Sequence, residues 1–114
     1  MATNPEARIE YVPCEQLVER IHRLSERMLA AARRDDWRSV EQHETLRRDA
    51  LETLYAHPEY RQRLPELAEP LNRILAMSRE CLVLGEQARR SVTAQMLNLQ
   101  RGRSMSRAYL QDAG

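Results

Sequence analysis

Glu19 and His22 are the first residues whose spacing could do chemistry. Glu-x-x-His on a helix is one part of a di-iron carboxylate site, which needs a second copy and two further inward glutamates. The sequence holds no second Glu-x-x-His, so His22 reads as a solvated face residue. His43 beside Glu44 offers an acid–base couple, yet no nucleophile, phosphate-cradling loop or second organised carboxylate accompanies it. Cys14 and Cys81 stand far apart and form no paired motif, which speaks against a disulfide framework or zinc site and fits a reducing compartment. All 18 basic residues are arginine. Without lysine there is no Schiff-base chemistry, and a helical mutase site built from arginines and a lysine lacks its lysine. No metal or cofactor is implied, and the chain is not expected to be an enzyme.

The elements that carry these residues read as helices. Leu, Ala, Glu and Arg abound, with three Gly and no Phe in 114 residues, enough for one domain with a modest core. Met1 to Val12 mixes Pro5, Glu6, Arg8 and Glu10 without the basic start and apolar stretch of a signal peptide, so residues 1–12 are expected as a flexible leader. Pro13 opens a first helix whose stripe is Leu17, Ile21, Leu24, Met28 and Ala31, widened by Leu29 and Ala32. Asp36 is the expected N-cap of the second helix, Trp37 to about Ala56, with Trp37 plugging one end of the core. The middle of that helix is polar. Either Glu44 and Arg47 face each other as an i,i+3 pair, or His43, Leu46 and Ala50 turn inward with the pair at the margin; packing favours the second.

His57-Pro58 ends the second helix. Residues 57–65 read as a connection, Pro65 opens a short turn, and Pro70 starts or kinks a long third helix that Gly102 closes near Arg101. Small or apolar residues recur on it at Leu71, Ile74, Ser78, Cys81, Gly85, Ala88, Val92, Gln95/Met96 and Leu99. About thirty residues make a rod of roughly 45 Å, against roughly 30 Å for each earlier helix. Val92, Met96 and Leu99 therefore outrun the partners inside the chain and read as a surface for a helical client. Met77, Met96 and Met105 suit an adaptable surface or a plain core. Arg103 to Leu110 adds a turn or two. The expected architecture is all-α: an antiparallel three-helix bundle over residues 13–101, with a long third helix and a short C-terminal helical tail over 102–114.

Charge excludes further classes. The 18 basic residues face 17 acidic ones, so no global field favours nucleic acid or an acidic membrane. Arg89, Arg90, Arg101, Arg103 and Arg107 make the tail locally basic, which reads as a solvated helix end rather than a nucleic-acid contact. No run approaches about 18 continuous apolar residues, so no membrane insertion is expected. A cytoplasmic location is.

Two blocks carry a resemblance. Arg33-Arg34-Asp35-Asp36-Trp37 followed by Val40, Glu44, Arg47-Arg48 and Leu51 is similar to the first helix junction of the FliT family of flagellar export chaperones. Ile74-Leu75, Glu80 and Leu84, leading to Leu99-Gln100-Arg101-Gly102-Arg103 and Ala108-Tyr109, resembles that family's long third helix and carboxyl segment. The resemblance spans Leu17 to Tyr109. It implies a chaperone for the filament-cap protein FliD before type III export, with the export ATPase complex as a further partner. It also implies a client-binding stripe at Ile74, Met77, Cys81, Gly85, Ala88, Val92, Met96 and Leu99, and a regulatory tail latch at Ala108 and Tyr109. Only five residues follow Tyr109, so the tail is expected to gate weakly. The alternative is a self-associating helical structural or adaptor protein, a homodimer pairing the same stripe.

Overall fold

A computed structural model describes residues 12–112, and the leader assigned to residues 1–12 lies, apart from Val12, outside them. The described residues form three helices: α1, Cys14–Arg33; α2, Trp37–Tyr55; and α3, Tyr60–Asp112. The chain divides into two compact units, one ending at Cys81 and one beginning at Leu82.

In the first unit α1 is the most buried helix. Its stripe of Leu17, Ile21, Leu24, Met28 and Ala31 is buried as the spacing predicts, together with Cys14, Val18, Ser25, Leu29 and Ala32. Cys14, Leu17, Val18 and Ile21 share one core cluster with Ala50 and Leu54 of α2 and Leu67 and Ile74 of α3. Ile21 and Leu54 are fully buried, and side chains of that size contribute about 1.5–3 kcal/mol each when taken from water.

The corner between α1 and α2 is built by three consecutive residues. Asp35 adopts φ 60°, the left-handed region. Its N–H donates to the Ala32 carbonyl, and the Asp36 N–H donates to the Ala31 carbonyl at 2.9 Å. Together these satisfy carbonyls at the end of α1 in the pattern usually closed by glycine. Asp tolerates that backbone because its short side chain finds local partners; here the Trp37 indole N–H donates to the Asp35 carboxylate at 2.5 Å. Asp36 caps α2 as expected, accepting from the Ser39 N–H at 3.3 Å and the Ser39 hydroxyl at 2.7 Å.

Four expectations are corrected. Trp37 is half-buried at the corner and is not in the core cluster, because its indole is drawn to Asp35. On α2, Leu46 faces outward, 46% exposed, and Arg47 turns in, so the inward line is Val40, Arg47, Ala50 and Leu54. Glu44 pairs with Arg48 at 3.0 Å instead of Arg47. The Arg47 guanidinium donates to the hydroxyls of Ser78 at 2.6 Å and Ser25 at 3.4 Å, and both hydroxyls donate to carbonyls of their own helices. A polar tie thus links all three helices, each member satisfied.

The third and fourth corrections concern α3. It begins at Tyr60 instead of near Pro70, with Pro65 and Pro70 inside it. Each interior proline costs about 3 kcal/mol in an isolated helix. Leu67 lies between them and is buried, while Tyr60 and Leu71 pack against the core, which offsets that cost. The start is fixed by His57: its Nε2–H donates to the Val12 carbonyl at 2.9 Å, and the Glu59 N–H donates to its Nδ1 at 3.1 Å. At the other end the helix runs on through Gly102, where a stop was expected, and includes Arg103 to Leu110. Gly102 has a negative φ, and the space beside it is open, so neither backbone nor packing demands an end there.

Candidate binding surface

The residues with chemical potential are occupied. Glu19 accepts from Arg23 at 2.6 Å, and His22 Nδ1 meets Glu26 at 2.6 Å, so the two members of the Glu-x-x-His pair engage different partners. His43 Nδ1–H donates to the Ser39 carbonyl at 2.7 Å. Burial pushes the Cys14 thiol up from its ordinary pKa, with the nearby Glu59 charge adding to it; burial likewise raises Cys81. Both thiols are free, buried and poor nucleophiles at neutral pH.

One groove lies within the first unit, between α1 and the start of α3, with a volume of about 450 Å³. Its floor is Val18, Leu67 and Pro70, and its rim includes Glu15, Arg63 and Glu66. Arg63 bridges Glu15 and Glu66, so the rim charges largely neutralise one another. The arrangement offers a small apolar floor and no free acid–base couple. Arg63 Nε is buried without a partner, a modest cost that the two ion pairs offset.

The stripe assigned from sequence separates into two halves. Ile74 and Cys81 are buried and Met77 half-buried, Ile74 within the core cluster and Met77 packed against it. Gly85 and Ala88 are half-buried. Val92, Met96 and Leu99 are 54, 59 and 64% exposed. Ala108 and Tyr109 are exposed on the helix. The structure therefore brings Ile74 and Met77 to the core and sets Val92, Met96 and Leu99 along one exposed line. Leu110 extends that line by the same steps (Leu99, Arg103, Ser106, Leu110) and is 70% exposed. These four residues, with Gly102, line a shallow open trough along the helix surface. Leu110 escapes the sequence reading because Gly102 reads as a helix end; the unbroken spacing is the available signal.

The exposed line carries large apolar side chains at helical spacing, with arginines beside them. Among the described residues no helix is long and apolar enough to cross a membrane. Neither a curated protein nor a solved structure matches the chain. A family model does: that of flagellar protein FliT matches residues 15–111, which takes in the three helices except Cys14 and Asp112. With its junction, its long third helix and its carboxyl segment all inside that match, the chain belongs to the FliT family.

Proposed function

We propose that this protein is a cytoplasmic export chaperone of the flagellum that binds the filament-cap protein FliD and shields it before type III secretion. FliT-family membership supports a flagellar chaperone. The observation that carries the finer reading is the exposed line Val92, Met96, Leu99 on a helical segment. An amphipathic client helix laid on it buries apolar surface at about 25 cal/mol per Å², less the cost of ordering the client. A micromolar complex, about −8 kcal/mol, is strong enough to hold a segment and weak enough to release it at the export gate.

In this reading residues 13–101 form the antiparallel three-helix bundle, whose first part, through Cys81, anchors the helix that carries the client line. The links 34–36 and 56–59 are short enough for chain reversal, and the shared core is consistent with it. The stripe Ile74–Leu99 is the client line, with its working half from Gly85 to Leu99. Ala108 and Tyr109 act as the latch that competes for it when α3 opens at Gly102, and the export ATPase complex receives the loaded chaperone. No catalysis is involved.

The test is a pulldown of the FliD terminal segment by the chain carrying Val92→Asp and Met96→Asp. Client capture should vanish while helical circular dichroism is unchanged; retained capture would remove Val92–Leu99 from the site. A second reading, self-association through the same exposed line, is separated by light scattering with and without FliD. A dimer that FliD does not dissolve would favour it.

A further inference from the structure

Between Glu86 and Asp112 the sequence holds five arginines and no carboxylate. In the first unit many arginines meet acids at close range: Arg23 with Glu19 at 2.6 Å, Arg33 with Glu80 at 2.8 Å, Arg48 with Glu44 at 3.0 Å, Arg73 with Glu69 at 2.9 Å. In the second unit one ion pair is present among the described residues, Arg90 with Glu86 at 3.9 Å. Arg89, Arg101, Arg103 and Arg107 are exposed, and none of them is in an ion pair among the described residues. At about 100° per residue, Arg103 falls on the line of Val92, Met96, Leu99 and Leu110. Arg89 and Arg107 fall within about 60° of it, on one flank.

Building on the client reading above, we propose that this line selects an amphipathic helix whose flanking positions are acidic. Docking an apolar seam sets Arg89 and Arg107 against one flank of the partner and Arg103 at the seam itself, where carboxylates gain forked, charge-assisted hydrogen bonds. Lysine or arginine at those positions would be repelled. A second copy of this chain is a poor occupant, because its own 87–111 segment brings five more arginines and no acid. An anionic bilayer is also poorly matched: the seam is narrow, edged by Gln95 and Gln100, and the segment has no Trp or Phe for the interface. Nucleic acid would use the arginines but leave Val92, Met96, Leu99 and Leu110 in water, with Tyr109 as the segment's lone stacking ring.

The test uses the full chain and two fluorescein-labelled peptides of three heptads, Leu at a and d in both. One carries Glu at e and g, the other Lys, and anisotropy is read in 50 and 500 mM NaCl. The Glu peptide should bind on the order of tenfold tighter at low salt. The ratio should fall toward one at high salt, where the Debye length is a few ångström. The triple variant Arg89→Glu/Arg103→Glu/Arg107→Glu should reverse the preference. Equal affinity, or preference for the Lys peptide, overturns the charge selection while leaving the client reading standing. Neither peptide binding while a FliD terminal segment binds does the same. Neither peptide nor FliD binding overturns both. Tighter binding to vesicles of phosphatidylcholine and phosphatidylglycerol, or to a 20-nucleotide oligouridine, overturns the proposal in favour of that surface.

Discussion

The segments Cys14–Cys81 and Leu82–Asp112 share one helical spacing of apolar residues and meet opposite environments. In the first, Ile21, Leu54, Leu67 and Ile74 are buried, and much of the charge is tied into ion pairs. In the second, Val92, Met96, Leu99 and Leu110 are more than half exposed, and the arginines stand largely unpaired. The difference teaches that periodicity reports a face, not its occupant. A stripe stabilises the chain that makes it when that chain also supplies the partner; otherwise it is available to another molecule.

The sharpest way to break this contrast is a matched pair of truncations. Ile21→Ala should cost about 2–5 kcal/mol of stability, the lost transfer energy plus a cavity. Leu99→Ala should leave stability within about 0.5 kcal/mol, since its side chain gains little from the fold, yet weaken client binding about tenfold. Urea unfolding followed by circular dichroism, with a parallel binding titration, reads both. Equal destabilisation by the two substitutions would show the second segment to be packed.

Next in size is the polar tie of the first unit. Arg47→Ala removes the donor to Ser25 and Ser78 together with the packing of the arginine stem, and should cost about 1–2 kcal/mol. Arg47→Met should recover most of that, because each serine hydroxyl still donates to its own helix and an apolar chain refills the space. If Met is as damaging as Ala, the guanidinium itself holds the helices.

Gly102→Ala probes the second segment alone. Alanine at this helical position meets open space and should stabilise the local helix by about 1 kcal/mol, seen as slower amide exchange over residues 98–106. If the latch at Tyr109 needs the helix to break at Gly102, the variant should also bind client more tightly. Unchanged affinity would remove the latch while leaving the client line.

Much of this was legible before any coordinates. The α1 stripe, the Asp36 cap and the His57-Pro58 break each follow from a local rule, and each local preference agrees with the burial that surrounds it. What failed were places where tertiary contacts overrode a local rule. Pro65 and Pro70 sit inside α3 because Leu67 and Leu71 are anchored in the core, which propensity cannot see. Arg47 turned inward, and Leu46 outward, because Ser25 and Ser78 offered acceptors from other helices. Ser78 reads from sequence as one small residue of the α3 stripe; in the fold it receives that guanidinium. In the candidate surface, Val92, Met96 and Leu99 were readable from spacing and length. Leu110 was hidden only by the stop signal assigned to Gly102.

The smallest effect separates the two segments by pH. Hydrogen bonds from the Ser39 hydroxyl, and then from its backbone N–H, hold the Asp36 carboxyl below its usual value. A carboxylate whose pKa is depressed in the fold contributes stability that is fully present above the unfolded value of about 3.9. That contribution is lost as pH falls through the lower, folded value. Asp36→Ala should therefore lower Tm at pH 7, and the gap to the parent chain should narrow below about pH 4. Asp36→Asn retains a capping oxygen without the titration, so its own gap to Asp36→Ala should stay level across the same range. Residues 87–111 hold no carboxylate at all, so amide exchange there, corrected for intrinsic rates, should change little between pH 7 and pH 4. A drop in protection over 87–111 that tracks the acid loss around Asp36 would mean that the corner and the distal helix melt as one unit, and the contrast between the two segments would fail.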